Sequence, residues 1–168
     1  MSIPMEIERK YVISMPDITV MRNQEEYTVS EIQQTYLESE AHVTRRVRAR
    51  HYDSSVVYTE TKKVRVDKMS AYEDEREISE SEYVELLGEK KRGTVTIVKT
   101  RHTFAYLDKT YEVDIYPAWQ RSCILEVELP SRDSDVAMPD FIHLITEVTG
   151  DRRYSNAAMS KEFPAELI

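Results

Sequence analysis

Met5-Glu6-Ile7-Glu8-Arg9-Lys10-Tyr11-Val12-Ile13 alternates charged and apolar side chains over most of its length. In an extended chain successive side chains point to opposite faces, so Glu6, Glu8 and Lys10 share one face. Ile7, Tyr11 and Ile13 take the other, with Arg9 interrupting it. A single strand of this kind ordinarily turns its charges to water. Here the same alternation recurs down the chain with both signs of charge, and that recurrence decides the fold.

Working outward, Ser30 to Leu37 suits a second strand, and Val43-Thr44-Arg45-Arg46-Val47-Arg48-Ala49-Arg50 places Arg46, Arg48 and Arg50 on one face. Asp53-Ser54-Ser55 reads as a hairpin turn into the β-branched run 56–64, which carries Lys62 and Lys63. Tyr72 to Ile78 puts Glu73, Glu75 and Glu77 on one parity, and Thr94 to Phe104 carries Lys99 and Arg101. Runs 110–116 and 124–129 set Glu112 and Asp114, then Glu126 and Glu128, opposite apolar faces.

Two helices are expected. Ser79-Glu80-Ser81-Glu82 is a capping box for a helix over about 80–90, with Tyr83, Leu86 and Leu87 as its buried stripe. Pro139-Asp140 opens a second, over 140–149, whose stripe is Phe141, Leu144, Ile145 and Val148 and whose end is Gly150. Eight strands on short turns with two amphipathic helices predict an α+β domain, an antiparallel sheet with helices packed outside it.

Composition narrows the function. The 168 residues make one domain, 1–168, with 40% hydrophobic and 32% charged residues. No run reaches the roughly 18 apolar residues of a membrane span, and the N-terminus lacks a signal-peptide layout, so no membrane partner and a cytoplasmic location are expected. Cys123 is the single cysteine and the four histidines are scattered, so a metal would be held by oxygen. A net charge of −8 disfavours nucleic acid. With only Gly88, Gly93 and Gly150, no glycine-rich loop can cradle phosphate, and side chains must do so.

If the sheet closes into a barrel, the charged faces converge on one lumen. Like charges alone would repel strongly there. A basic wall of Arg48, Arg50, Lys63, Lys99 and Arg101 facing an acidic wall of Glu6, Glu8, Asp114, Glu126 and Glu128 instead suits a polyphosphate and an oxygen-liganded Mg²⁺ or Mn²⁺. Phosphoryl transfer requires little beyond positioning and charge neutralisation.

At this point the chain resembles the CYTH superfamily, the triphosphate tunnel metalloenzymes. Glu6-x-Glu8-x-Lys10 matches the signature Glu-x-Glu-x-Lys, and the likeness continues in order through Gln34-Thr35-Tyr36-Leu37, Arg48-Ala49-Arg50, Thr61-Lys62-Lys63, Glu73-Asp74-Glu75, Lys99-Thr100-Arg101, Glu112-Val113-Asp114, Glu126-Val127-Glu128 and Arg153-Tyr154-Ser155-Asn156. The resemblance implies an eight-stranded antiparallel β-barrel forming a tunnel. It implies metal ligation by Glu6, Glu8, Asp114, Glu126 and Glu128, and triphosphate contact by Lys10, Arg48, Arg50, Lys63, Lys99, Arg101 and Arg153. Lys10, with Glu6 and Glu8, would be catalytic.

Arg46 gives three arginines where two are usual, and Lys63 is preferred over Lys62 for its spacing from Thr61. Ala71 stands where an arginine is expected, with Lys68 and Arg76 the nearest substitutes. The implied activity is divalent-metal-dependent hydrolysis of tripolyphosphate or of a nucleoside or organic triphosphate. A class IV adenylyl cyclase of the same fold and a non-catalytic polyphosphate- or nucleotide-binding module are the rivals, and there is room for a homodimer.

Overall fold

A computed structural model describes residues 2–168. Its strands are β1 (Met5–Ser14), β2 (Glu25–Leu37), β3 (Thr44–His51), β4 (Val56–Arg65), β5 (Ser70–Ile78), β6 (Ile97–Tyr106), β7 (Lys109–Ile115), β8 (Ser122–Glu128) and β9 (Leu144–Glu147). Helices are short: α1 (Ile18–Arg22), α2 (Glu80–Leu86) and α3 (Asn156–Met159), with 3₁₀ turns at Leu87–Glu89 and Arg152–Tyr154. Among the described residues no helix is long and apolar enough to cross a membrane.

The sheet runs β5-β4-β3-β2-β6-β7-β8-β1, and a further β5–β1 pairing closes it into an antiparallel ring of eight strands. Closure uses only the start of β1, where Met5, Glu6 and Ile7 pair with Tyr72, Ala71 and Ser70. Beyond Ile7 that edge of β1 parts from β5, and its later backbone groups need other partners. β9 supplies them, pairing Tyr11, Val12 and Ile13 with Glu147, Thr146 and Leu144.

This ninth strand occupies the stretch where periodicity predicts a helix over 140–149. Leu144, expected in a buried stripe, is 51% exposed, while Ile142 and Val148 are buried at either side of the strand. The unpaired edge of β1 outweighs the local 3.6-residue pattern, and Ile145 and Thr146, β-branched, accept the extended form readily. Gly150 then turns the chain at φ +77°, where an added Cβ would lie 2.8 Å from the Cβ of Lys68. The expected strand over 94–104 likewise begins only at Ile97, because the Val95 amide donates to the Ser160 carbonyl of the C-terminal segment.

The other turns follow their residues. Ser79 caps α2, its side chain accepting from the Glu82 amide. Leu107 and Asp108 both take positive φ, 46° and 63°, as a two-residue hairpin loop between β6 and β7 requires.

Three apolar clusters hold the ring. The largest, including Tyr11, Ile13, Phe104, Val113 and Leu125, covers the outside of β1, β6, β7 and β8 beneath α1 and the segment 136–142. A second packs Val47, Ala49 and Ile78 against Tyr83 and Leu86 of α2. The third lies within the ring: Val12, Tyr36, Ile97, Tyr116 and Ile124 meet Trp119, Tyr154 and Met159, so the C-terminal segment plugs one end. Phe163 stacks edge-on to both Tyr116 and Trp119 in this plug.

Candidate active site

Alternation along each strand fixes which side chains enter the ring. On β1, Val12 belongs to the internal plug, so Lys10, Glu8 and Glu6 point inward at successive levels toward the unplugged end. Cross-strand pairing carries the pattern around. Glu8 faces Glu128 and Lys10 faces Glu126; Glu126 faces Glu112; Arg101 faces Asp114. On the far side Arg48 faces Gln34 and Arg46 faces Tyr36, and Lys63 faces Glu73.

The deepest group is a buried charge lattice. Arg101 donates from Nε to Asp114 Oδ1 at 2.8 Å and from Nη2 to Oδ2 at 2.8 Å. Its Nη1 donates to Glu112 Oε2 at 2.9 Å. Lys99 Nζ donates to Asp114 Oδ2 at 2.8 Å, with Tyr116 and Asn156 beside it. Burial opposes the Asp114 charge, but Arg101 and Lys99 outweigh it and hold the carboxyl far below the usual range. Burial pulls Lys99 down to about 7, against the attraction of Asp114. Lys10 Nζ lies 3.1 Å from Glu126 Oε1 and donates to the Tyr154 carbonyl at 3.1 Å, tying the plug to the site. Burial disfavours the Glu126 charge too, yet Lys10 and Arg101 lower that carboxyl to about 2.

Three carboxylates differ from these. Among the described residues Glu6, Glu8 and Glu128 form no ion pair with a cation. Burial, then the neighbouring Glu8 and Glu73, pushes Glu6 up to about 9. Burial and Glu126 push Glu8 up to about 7, and burial with Glu112 raises Glu128. Hard oxygen donors crowded without a counter-charge suit a divalent cation. Among the described residues no three carboxylates already stand at ligating spacing.

The cationic wall keeps the expected face, with Arg46, Arg48 and Arg50 on one parity of β3. Arg48 gives Nε and Nη2 to Gln34 Oε1 at 2.9 and 2.6 Å, and burial beside Arg46 and Arg101 lowers it to about 9. Arg50 bonds Ser30 and lies over the Tyr52 ring. Arg46 points inward with its Nε buried and unpartnered, its Nη2 4.0 Å from Glu73 Oε1. Lys63 Nζ lies 3.4 Å from Glu73 Oε1, while Lys62 is exposed on the outer face.

Arg46 and Glu73 therefore stand beside the candidate site residues, though outside the expected set. Their signals were parity with Arg48 for the one and a place opposite Lys63 for the other. Ala71 is buried beside Glu6. Neither expected substitute for an arginine there enters the ring: Arg76 pairs with Glu60 and Glu82 outside, and Lys68 packs on Gly150. Arg153 is not brought to the lattice either. Its side chain is 75% exposed and paired with Asp151.

No family model and no curated protein matches the chain. Solved structures do. The crystal structure of the inorganic triphosphatase NE1496 is 25% identical, covers 95% of this chain and 97% of its own, and superposes with a TM-score of 0.57. The PH1819 protein from Pyrococcus horikoshii OT3 is 22% identical over 76% of this chain and 80% of its own, with a TM-score of 0.60. A putative adenylate cyclase from Bacillus halodurans is 15% identical over 77% and 83%, with a TM-score of 0.51, and shares the fold. With the charged motifs in order around a closed ring and a match to NE1496 along nearly the whole chain, the protein shares the fold of that inorganic triphosphatase, a likeness consistent with the CYTH superfamily of triphosphate tunnel proteins.

Proposed function

We propose that the protein is a divalent-metal-dependent triphosphatase, hydrolysing the terminal phosphoanhydride of tripolyphosphate or of a nucleoside or organic triphosphate. One observation carries the reading: five cations, Lys10, Arg46, Arg48, Lys99 and Arg101, enter the same ring as three carboxylates that have no cation of their own. The inorganic triphosphatase NE1496, similar over 95% of the chain, supports it.

In this reading Arg46 and Arg48, with Lys63 and Arg50 toward the rim, hold the phosphate oxygens by charge-assisted hydrogen bonds. Arg46 is the most available of them, because its Nε has no competing acceptor. Glu6, Glu8 and Glu128, with Glu126 beside them, are the residues to hold Mg²⁺ or Mn²⁺. When bound, the metal neutralises phosphate charge and lowers the pKa of an attacking water. Asp114, named with these ligands from the sequence, has both oxygens occupied by Lys99 and Arg101; its proposed part is to fix those two cations. Lys10, held by Glu126 and the Tyr154 carbonyl, sits where the two walls meet and orients the terminal phosphate.

Phosphate release from tripolyphosphate and ATP, with and without Mg²⁺ or Mn²⁺, is the test. Metal-dependent orthophosphate release is expected. Cyclic AMP with pyrophosphate from ATP would instead establish a cyclase, and binding without turnover at any divalent metal a sequestering module.

A further inference from the structure

A cavity of about 710 Å³ opens between the β2–β3 loop and the C-terminal segment. That volume is within the range of small-molecule sites. None of Lys10, Arg46, Arg48, Lys99 and Arg101 lines it, so a molecule seated there is a ligand separate from any phosphate chain in the ring.

The lining joins apolar surface to unmatched positive charge. Leu37, Val43, Ala158 and Phe163 offer the first. Lys91, Arg152 and Lys161 supply the second, and among the described residues none of the three forms an ion pair. Arg45 and Arg153, the other cations there, are already paired with Glu60, Glu89 and Asp151. Glu162 is the one carboxylate of the lining. In a chain of net charge −8 this is a local reversal of sign. An anion among the three cations relieves their mutual repulsion. A bare inorganic anion leaves the apolar surface to water, and an uncharged apolar molecule leaves the cations unmatched, so the lining fits a molecule with both parts.

The wall of the cavity is also the wall of the plug. Along one short segment Arg152, Ser155 and Ala158 line the cavity, while the residues between them reach the charge lattice. The Tyr154 carbonyl accepts from Lys10 Nζ at 3.1 Å, and Asn156 Oδ1 accepts from the Tyr116 hydroxyl at 2.8 Å. Lys91, another lining residue, is fixed to β2, its amide donating to the Tyr36 carbonyl at 2.9 Å. A ligand touching both Lys91 and Arg152 therefore ties the plug to the ring.

We propose that this cavity is a second ligand site, taking a small organic anion with an apolar body, and that its occupant steadies the plug and through it the Lys10 ammonium. A carboxylate and a phosphomonoester head satisfy the same lining. The site itself is independent of the triphosphatase reading, and only its effect on turnover rests on that reading.

Calorimetry on the metal-free protein with naphthoate, naphthyl phosphate, naphthol and acetate tests the site. At least one of the two aromatic anions is expected to bind at least about tenfold more tightly than naphthol and than acetate, and the tighter of the two identifies the head group. Ala158→Trp, which fills the cavity, should weaken that anion at least about tenfold. Lys161→Glu, a charge reversal at an exposed position, should weaken it several-fold and guards against a misfolded Ala158→Trp. Saturation with the anion should slow hydrogen exchange at the amides of 154–160 and lower KM for tripolyphosphate. Naphthol binding as tightly as either anion, no binding of either anion, or binding untouched by both substitutions overturns the site. Unchanged exchange at 154–160, or an unchanged KM in a protein that turns over tripolyphosphate, overturns its coupling to Lys10. If tripolyphosphate is neither bound nor hydrolysed, the triphosphatase reading has failed, and calorimetry and exchange still decide the cavity.

Discussion

Glu8 and Glu128 are direct partners across the β1–β8 ladder, two carboxylates facing each other inside the ring. Like charges so opposed destabilise a sheet, and here neither has a cation of its own among the described residues. Removing one charge should relieve the pair. Glu128→Gln is expected to raise the metal-free melting temperature by a few degrees, for about 1 kcal/mol of relieved repulsion. The same change should abolish most of the stabilisation that Mg²⁺ or Mn²⁺ gives the unaltered protein. Thermal unfolding with EDTA and with each metal checks both halves; a Glu128→Gln protein with an undiminished metal shift refutes the ligand assignment.

Arg46 provides a sharper test of the phosphate wall. Its buried Nε lacks an acceptor, whereas Arg48 is engaged by Gln34 and Arg50 by Ser30. A guanidinium poised in this way gains most when an anion arrives. Arg46→Gln is expected to raise KM for tripolyphosphate at least about tenfold, the equivalent of one charge-assisted contact. Arg50→Gln should raise it less. Steady-state kinetics on the two variants decide between them, and a larger effect at Arg50 would give Arg50 the leading part in holding phosphate.

Asp114 is held by Lys99 and Arg101 with all three side chains buried. Breaking such a group by removing one partner leaves uncompensated charge, at a cost of about 3–5 kcal/mol. Asp114→Asn should therefore destabilise the protein by several kcal/mol, read as a lower urea midpoint. It should do so without Mg²⁺ present, which separates its cation-fixing part from metal ligation. A loss of stability seen only in the presence of metal would make Asp114 a ligand instead.

Period-two alternation made the eight ring strands and their inward faces legible, because a slip of one residue reverses the face. Glu6, Glu8, Lys10, Arg48, Lys99, Arg101, Glu126 and Lys63 all enter the ring as parity requires. Parity cannot give depth, since residues two apart share a face and differ only in level. Arg46 and Arg50 are equivalent by alternation, and only the pairing of Arg46 with Tyr36 beside the plug separates them. Nor could local pattern show β9. Its reason is the edge of β1 left open past Ile7, a property of the closed ring and of no segment alone. Arg153 matched a motif in sequence, but Asp151 two residues before it claims the guanidinium.

Outside the ring, Glu60 provides a pH test independent of the site. It lies on the outer face of β4, 4% exposed, accepting from Arg45 Nε at 2.6 Å and Arg76 Nε at 2.8 Å. Burial opposes its charge, but the two arginines outweigh burial and lower its pKa from 4.5. A carboxyl lowered on folding contributes stability above its unfolded pKa, and the contribution is lost as pH falls through the folded value. At pH 7 Glu60→Gln should cost about 2 kcal/mol, below the figure for a fully buried pair because Arg76 is 53% exposed and screened by water. As the pH falls below the ordinary carboxylate range and through the lowered folded value, the two proteins should converge, since a protonated Glu60 carries no more charge than the amide that replaces it. Urea unfolding of both proteins at pH 7 and at progressively lower pH measures the difference, and a gap that stays constant across that range would place the loss in packing and not in the ion pairs.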